Sequence, residues 1–152
     1  MIKILCVGKV KDKNLKNLID DYASRISRYH RLEIIEVKDE SIGTDEKTVL
    51  SIEADRLFEK IKEDEYVILV DLHGKPIDSL SLADKLDKLF IRNPKITFVI
   101  GGSLGMDDRL RRRADEALKL SDLTFLHQMT RLILLEQIYR CFKILNHETY
   151  HK

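Results

Sequence analysis

The sequence has only two cysteines, Cys6 and Cys141, in separate apolar stretches with no C-x-x-C spacing. That leaves a disulfide framework or a zinc site without support and makes both thiols small core side chains. No apolar run approaches the length needed to cross a bilayer. The opening Met1-Ile2-Lys3-Ile4-Leu5-Cys6-Val7 carries neither a basic leader nor a small-residue cleavage site. A soluble cytoplasmic protein is expected. Charge of one sign is lacking too: 27 Lys and Arg against 26 Asp and Glu give a formal net charge of +1. Any site for a polyanion must therefore be a local patch. There is no internal repeat and no low-complexity tract. His147-x-x-x-His151 has helix-compatible spacing, but no nearby Cys, Asp or third His completes a metal set, so no metal is expected.

What is present suits one domain spanning 1–152: 152 residues, 43% hydrophobic and 35% charged, enough apolar material for a single core. Short extended runs alternate with longer helical ones, the pattern of an α/β protein with a parallel-type sheet flanked by helices. Strands are predicted at 2–7, 32–37, 66–70 and 96–100, and a short fifth at 118–120. The fourth is almost wholly apolar, as for a central strand covered on both faces. Leu15, Leu18, Ile19, Tyr22, Ile26 and Tyr29 share one helical face. Asp45 is a candidate cap for a helix carrying Leu50, Ala54, Leu57 and Ile61, after an exposed loop containing Gly43. Ser79 or Ser81 is a candidate cap for one carrying Leu82, Leu86 and Leu89. Residues 71–76 read as the turn closing the third strand.

The final helix, from about 128 to 145, is apolar most of the way around: Met129, Leu132, Ile133, Leu134, Leu135, Ile138, Tyr139, Phe142, Ile144 and Leu145 leave little polar face. It must be covered on two sides, either inside the monomer or by a second copy in a homodimer through Ile133, Leu135, Ile138 and Phe142.

Gly101, Gly102 and Gly105 form G-G-x-x-G between a strand and a helix, where backbone can approach a ligand. The motif is neither G-x-G-x-x-G after the first strand nor a G-x-x-x-x-G-K-[ST] phosphate loop, which disfavours NAD and NTP. Three strand-end segments, 70–74, 101–105 and 120–127, fall on one edge of a parallel sheet, the usual place for an α/β ligand site. Arg109, Arg111, Arg112 and Arg113 form a basic run that reads as a solvated helix face, with phosphate contact as the sharper alternative. Tyr139-Arg140 and Tyr150-His151-Lys152 pair aromatic or imidazole groups with cations, suited to stacking on an unpaired base and holding its phosphate. These residues alone reach an α/β ligand-binding domain, dimeric.

The run Phe98-Val99-Ile100-Gly101-Gly102-Ser103-Leu104-Gly105, the segment from Leu120-Ser121-Asp122-Leu123-Thr124-Phe125 to Leu126-His127-Gln128, the helix from Arg131-Leu132 to Tyr139-Arg140, and the ending Tyr150-His151-Lys152 resemble the RlmH family of SPOUT-class methyltransferases. So does Val7-Gly8-Lys9. The resemblance spans the whole chain; one departure is Leu126, where the family usually has Pro. It implies a C-terminal part threaded as a deep trefoil knot, an exception to the rule that chains avoid knots. It further implies transfer of a methyl group from S-adenosylmethionine to N3 of a pseudouridine in large-subunit ribosomal RNA, by a homodimer. The donor pocket carried over falls on Val70, Leu72, Gly101, Gly102, Gly105, Leu120, Ser121, Asp122, Leu123, Thr124 and Phe125. The tail of one subunit would reach the other's pocket. There His151 would accept the base proton or orient the base, Tyr150 would pack beside it, and Arg140 and Lys152 would hold flanking RNA phosphates or the developing negative charge, with His127 the competing proton acceptor.

Methyl transfer from a sulfonium is an in-line displacement that needs alignment and a deprotonated nucleophile but no metal, which fits this residue inventory. The competing reading is a non-catalytic RNA- or ribosome-binding module of the same fold. A flavodoxin-like or receiver-like domain ranks last, because the first strand lacks both a hydroxyl-rich phosphate turn and an acidic pair.

Overall fold

Every residue of Ile2–Val7 (β1) and Ile96–Ile100 (β4) is buried, so these strands form the centre of the sheet. A computed structural model describes residues 1–40 and 45–152 of the chain. The loop expected around Gly43 lies outside the described residues. The remaining elements are Lys13–Ser27 (α1), Leu32–Val37 (β2), Glu46–Phe58 (α2), Tyr66–Pro76 (β3), Ser79–Arg92 (α3), Asp108–Arg113 (α4), Glu116–Lys119 (β5) and His127–Leu145 (α5). The sheet order is β2-β1-β4-β3-β5 and every pairing is parallel. Alternating side chains feed two cores. Ile4, Ile68 and Phe98 pack under α1, α3 and α5, while Leu5, Leu69 and Val99 pack under α2 and α4.

Two strands differ from their predicted extents. Residues 71–76 continue β3 rather than closing it, because after a bulge the chain pairs again, Lys75 opposite Leu118 and Pro76 opposite Lys119. Gly74 permits this: a Cβ there would lie 2.6 Å from the backbone of Leu118. β5 accordingly starts earlier than predicted and ends at Lys119.

Helix starts follow acidic caps. Asp12 accepts from the amides of Asn14 and Leu15. Asp78, rather than Ser79 or Ser81, caps α3 by accepting from the Ser81 amide at 2.8 Å. Asp45 stands at the start of α2, but its side chain makes no capping bond. Leu18 is exposed, and Val49 rather than Leu50 is buried on α2, which ends before Ile61.

The apolar final helix is covered within the monomer, by α1 on one flank and α3 on the other. Leu135, Ile138 and Phe142 are buried there, so they cannot form the subunit interface expected of them; Ile133 is only partly buried. At the opposite end of the sheet, buried Lys3 donates to Glu65 at 2.8 Å and to the Lys60 carbonyl, and Thr97 donates to the same carboxylate at 2.7 Å. Among the described residues, no helix is long and apolar enough to cross a membrane.

Candidate functional site

Val70 pairs with Ile100 of β4 on one side and with Leu118 of β5 on the other, so three neighbouring chains reach the sheet edge at one level. Parallel direction then brings the segments that follow them together. They enclose a cavity of about 510 Å³, inside the usual size range of small-ligand sites. Val70, Leu72, Gly101, Gly102, Gly105, Leu120, Ser121, Leu123, Thr124 and Phe125 line it, as do Asp71, Met106, Leu126, His127 and Thr130.

The glycine loop closes on itself. A Cβ on Gly101 would meet the Gly105 carbonyl oxygen at 2.4 Å, and Gly105 has φ +92°, so a side chain at either position is excluded or strained. The wall of the cavity is backbone at this point. A Cβ on Gly102 would approach Glu53 and the Val7 side chain at 3.1 and 3.2 Å. In the loop after β5, Leu123 donates its amide to the Ser121 hydroxyl at 3.0 Å.

Asp122 does not join the lining. Its carboxylate is exposed and pairs with Lys119 at 2.5 Å, fixing the start of the loop from outside. Asp71, by contrast, lines the cavity although the sequence reading passed over it between Val70 and Leu72. Its usable signal was that it sits at a strand end beside two chosen positions.

His127 opens α5 and lines the same cavity. Burial, reinforced by the charge of Arg131, holds its imidazole pKa below the usual histidine value against the opposing pull of Asp39. Its ring is kept neutral.

The tail residues gather elsewhere. Arg140 donates to Glu136 through Nε at 3.1 Å and Nη2 at 2.5 Å, and its Nη1 stands 3.3 Å from Nδ1 of His151. The Tyr150 hydroxyl donates to the same Glu136 oxygen at 3.1 Å and lies 3.4 Å from the Tyr22 hydroxyl, under the Arg140 guanidinium. Burial and these acceptors push the Tyr150 phenol well above its ordinary value. Tyr150 is therefore the anchor of the tail, not a free stacking ring. His151 borders a second cavity, with Ser79, Ile133 and Gln137, and Leu120 is a wall common to both cavities. Within one subunit the tail thus lies next to the first cavity without entering it. Lys152 is exposed.

The arginine run is a set of braces. Arg109 binds Asp55 at 2.8 Å and Ser51. Arg111 binds Asp71 at 3.1 Å and Asp108 at 2.9 Å. Arg113 donates to the carbonyls of Lys62 and Glu65. Only Arg112 of the four remains as the solvated surface cation expected of the run. Burial pushes the thiols of Cys6 and Cys141 up to about 12, as fits inert core side chains. Among the described residues, no group of three or more His, Cys, Asp or Glu could hold a metal ion.

A family model described as "Predicted SPOUT methyltransferase" matches residues 1–151. "Ribosomal RNA large subunit methyltransferase H" of Acetivibrio thermocellus is 49% identical over 99% of both chains. The proteins of the same name from Ruminiclostridium cellulolyticum and Alkaliphilus oremlandii are each 46% identical, again over 99% of both chains. A glycine loop and a post-β5 loop meeting at the end of a parallel sheet, in a chain matched along its whole length, agree with the resemblance of the motifs. The chain belongs to the SPOUT methyltransferases and, within them, to the ribosomal RNA large subunit methyltransferase H family.

Proposed function

We propose that this protein methylates N3 of a pseudouridine in large-subunit ribosomal RNA, with S-adenosylmethionine as donor, on the assembled ribosome in the cytoplasm. The observation that carries this reading is the cavity formed by three strand-end segments, with backbone on one wall and Leu72, Leu123 and Phe125 on the others. Apolar walls suit an adenine ring, and a loop stripped of side chains at Gly101 and Gly105 offers backbone groups to its edge. A deep trefoil knot in the C-terminal part accompanies the reading.

When bound, the donor supplies an electrophilic methyl group on a sulfonium, open to in-line attack by a ring nitrogen. The chain's own residues orient the base and handle its proton. A guanidinium has no acceptor, so where Arg140 bonds to Nδ1 of His151 that nitrogen is the acceptor and the ring proton lies on Nε2. His151 therefore offers a hydrogen bond and suits a pyrimidine carbonyl as negative charge develops. Of the two roles expected of His151, this reading takes the orienting one. His127, neutral and lining the cavity, has the lone pair to take the base proton. Arg140 is engaged by Glu136 and serves to hold the tail, which leaves Lys152 as the cation for a neighbouring phosphate.

The protein acts as a homodimer in this reading. Leu72, Leu123 and Leu126 line the cavity yet are 47%, 70% and 61% exposed, and Met129 follows at 41%. A second copy seated on this rim would cover them and bring its tail to the cavity. The reading is tested with methyl-labelled donor and ribosomes that lack the modification. Label in large-subunit RNA is expected; donor binding without transfer would favour a non-catalytic ribosome-binding module.

A further inference from the structure

Asp71 is the only carboxylate among the described residues that line the first cavity, and the other titratable side chain there, His127, is held neutral. Its side chain is 11% exposed and is fixed by two bonds, from Arg111 Nε at 3.1 Å and from the His73 amide at 3.4 Å. Arg111 is itself held by a second carboxylate, its Nη1 donating to Asp108 at 2.9 Å. The Asp108 side chain is 79% exposed and screened by water, and Asp71 lines the cavity while Arg111 does not, so the Asp71–Arg111 pair presents its negative end to the cavity.

We infer that Asp71 is a specificity-determining residue that selects the charged methyl donor over its demethylated product, with Arg111 as its positioning residue. The inference rests on reading this cavity as the donor site. Donor and product share the adenosine, the ammonium and the carboxylate and differ in charge only at sulfur. In transfer, the methyl carbon bonds to the nucleophilic nitrogen, which gives up its proton. The electron pair of the broken carbon–sulfur bond stays on sulfur, and the sulfonium becomes a neutral thioether. A fixed carboxylate attracts the first state and not the second, so it favours loading of donor and departure of product.

Titration calorimetry on the purified protein separates the possibilities with three probes: S-adenosylmethionine, S-adenosylhomocysteine, and sinefungin, which bears a protonated amine near the sulfonium position. Asp71→Asn is expected to weaken the two cationic probes about tenfold and the neutral-sulfur product by no more than about twofold. Equal weakening of all three, or of none, overturns the inference while leaving the donor site in place. A wild-type protein that binds none of them overturns both. If the Asn variant fails to fold, a wild-type complex with the donor decides the matter. A sulfonium within about 6 Å of the Asp71 carboxylate is expected, a separation at which the attraction is still substantial. A sulfonium against the opposite wall overturns the inference.

Discussion

Arg131 and Glu36 join the start of α5 to the end of the sheet: Nη1 donates to the Glu36 carboxylate at 2.6 Å, while Nη2 donates to the carbonyls of Val7 at 2.9 Å and Gly8 at 2.8 Å. The arginine side chain is 2% exposed, whereas the Glu36 carboxylate is 34% exposed and also accepts from the Val10 amide at 3.3 Å. Arg131→Met keeps the packing but takes the guanidinium from two buried carbonyl contacts and from the Glu36 carboxylate. It is expected to destabilise the fold by about 3 kcal/mol, read as a lowered urea midpoint at unchanged slope. A loss below about 1 kcal/mol would show that water replaces the guanidinium.

His30 is stacked on Phe90 with 4.4 Å between ring centroids, and its Nε2 is buried without a hydrogen-bond partner among the described residues. Burial, then the N-terminal ammonium, hold its pKa below the ordinary 6.5. As pH falls through 6.5 the unfolded chain takes up the proton first. Its contribution to stability is therefore full above that value and is lost on descent toward the folded-state pKa. His30→Phe is expected to flatten the stability profile between about pH 5 and 7, as measured by thermal unfolding at each pH.

The tautomer of His151 gives a kinetic expectation. Glutamine can place an N–H near the position of Nε2 but cannot accept a proton, so His151→Gln is expected to keep at least about a tenth of the methylation rate and His151→Ala about a hundredth. Nitrogen-15 shifts of the ring should show the proton on Nε2. If the Gln variant is as inactive as the Ala variant, His151 is a base after all. The acidic limb of the rate profile should lie below 6.5, because His127 is held low by burial and Arg131.

Met129 and Leu126 sit on the exposed apolar rim at the start of α5. Replacing both by lysine is expected to leave the fold intact and raise the dimer dissociation constant by at least about a hundredfold in sedimentation velocity, since desolvated apolar anchors dominate such interfaces. An unchanged dimer would place the interface on another surface.

Much of this was legible in the sequence. The apolar run of β4 read correctly as a central strand, since covering both faces of a parallel strand leaves no polar alternation. The final helix read correctly as needing two covers. Which cover lay with α1 and α3 was not legible, because apolar character does not identify the partner. Residues 71–76 misled because Gly-Lys-Pro is turn chemistry, whereas here Gly74 serves a close approach of β5. The burial of Arg131 was not legible, since burial of an arginine depends on acceptors brought from β1 and β2. Asp71 lies on β3 just past Val70 and Asp122 in the loop after β5, and only the packing of α4 sends Arg111 to the first while Lys119 holds the second outside.

The measurement closest to the central claim is nucleoside mass spectrometry of large-subunit RNA, taken from ribosomes lacking the modification and incubated with the protein and S-adenosylmethionine. Appearance of N3-methylpseudouridine is expected, abolished when Phe125→Arg fills the cavity. Methylation of a different nucleoside, or none by a protein that binds the donor, would contradict the proposed reaction.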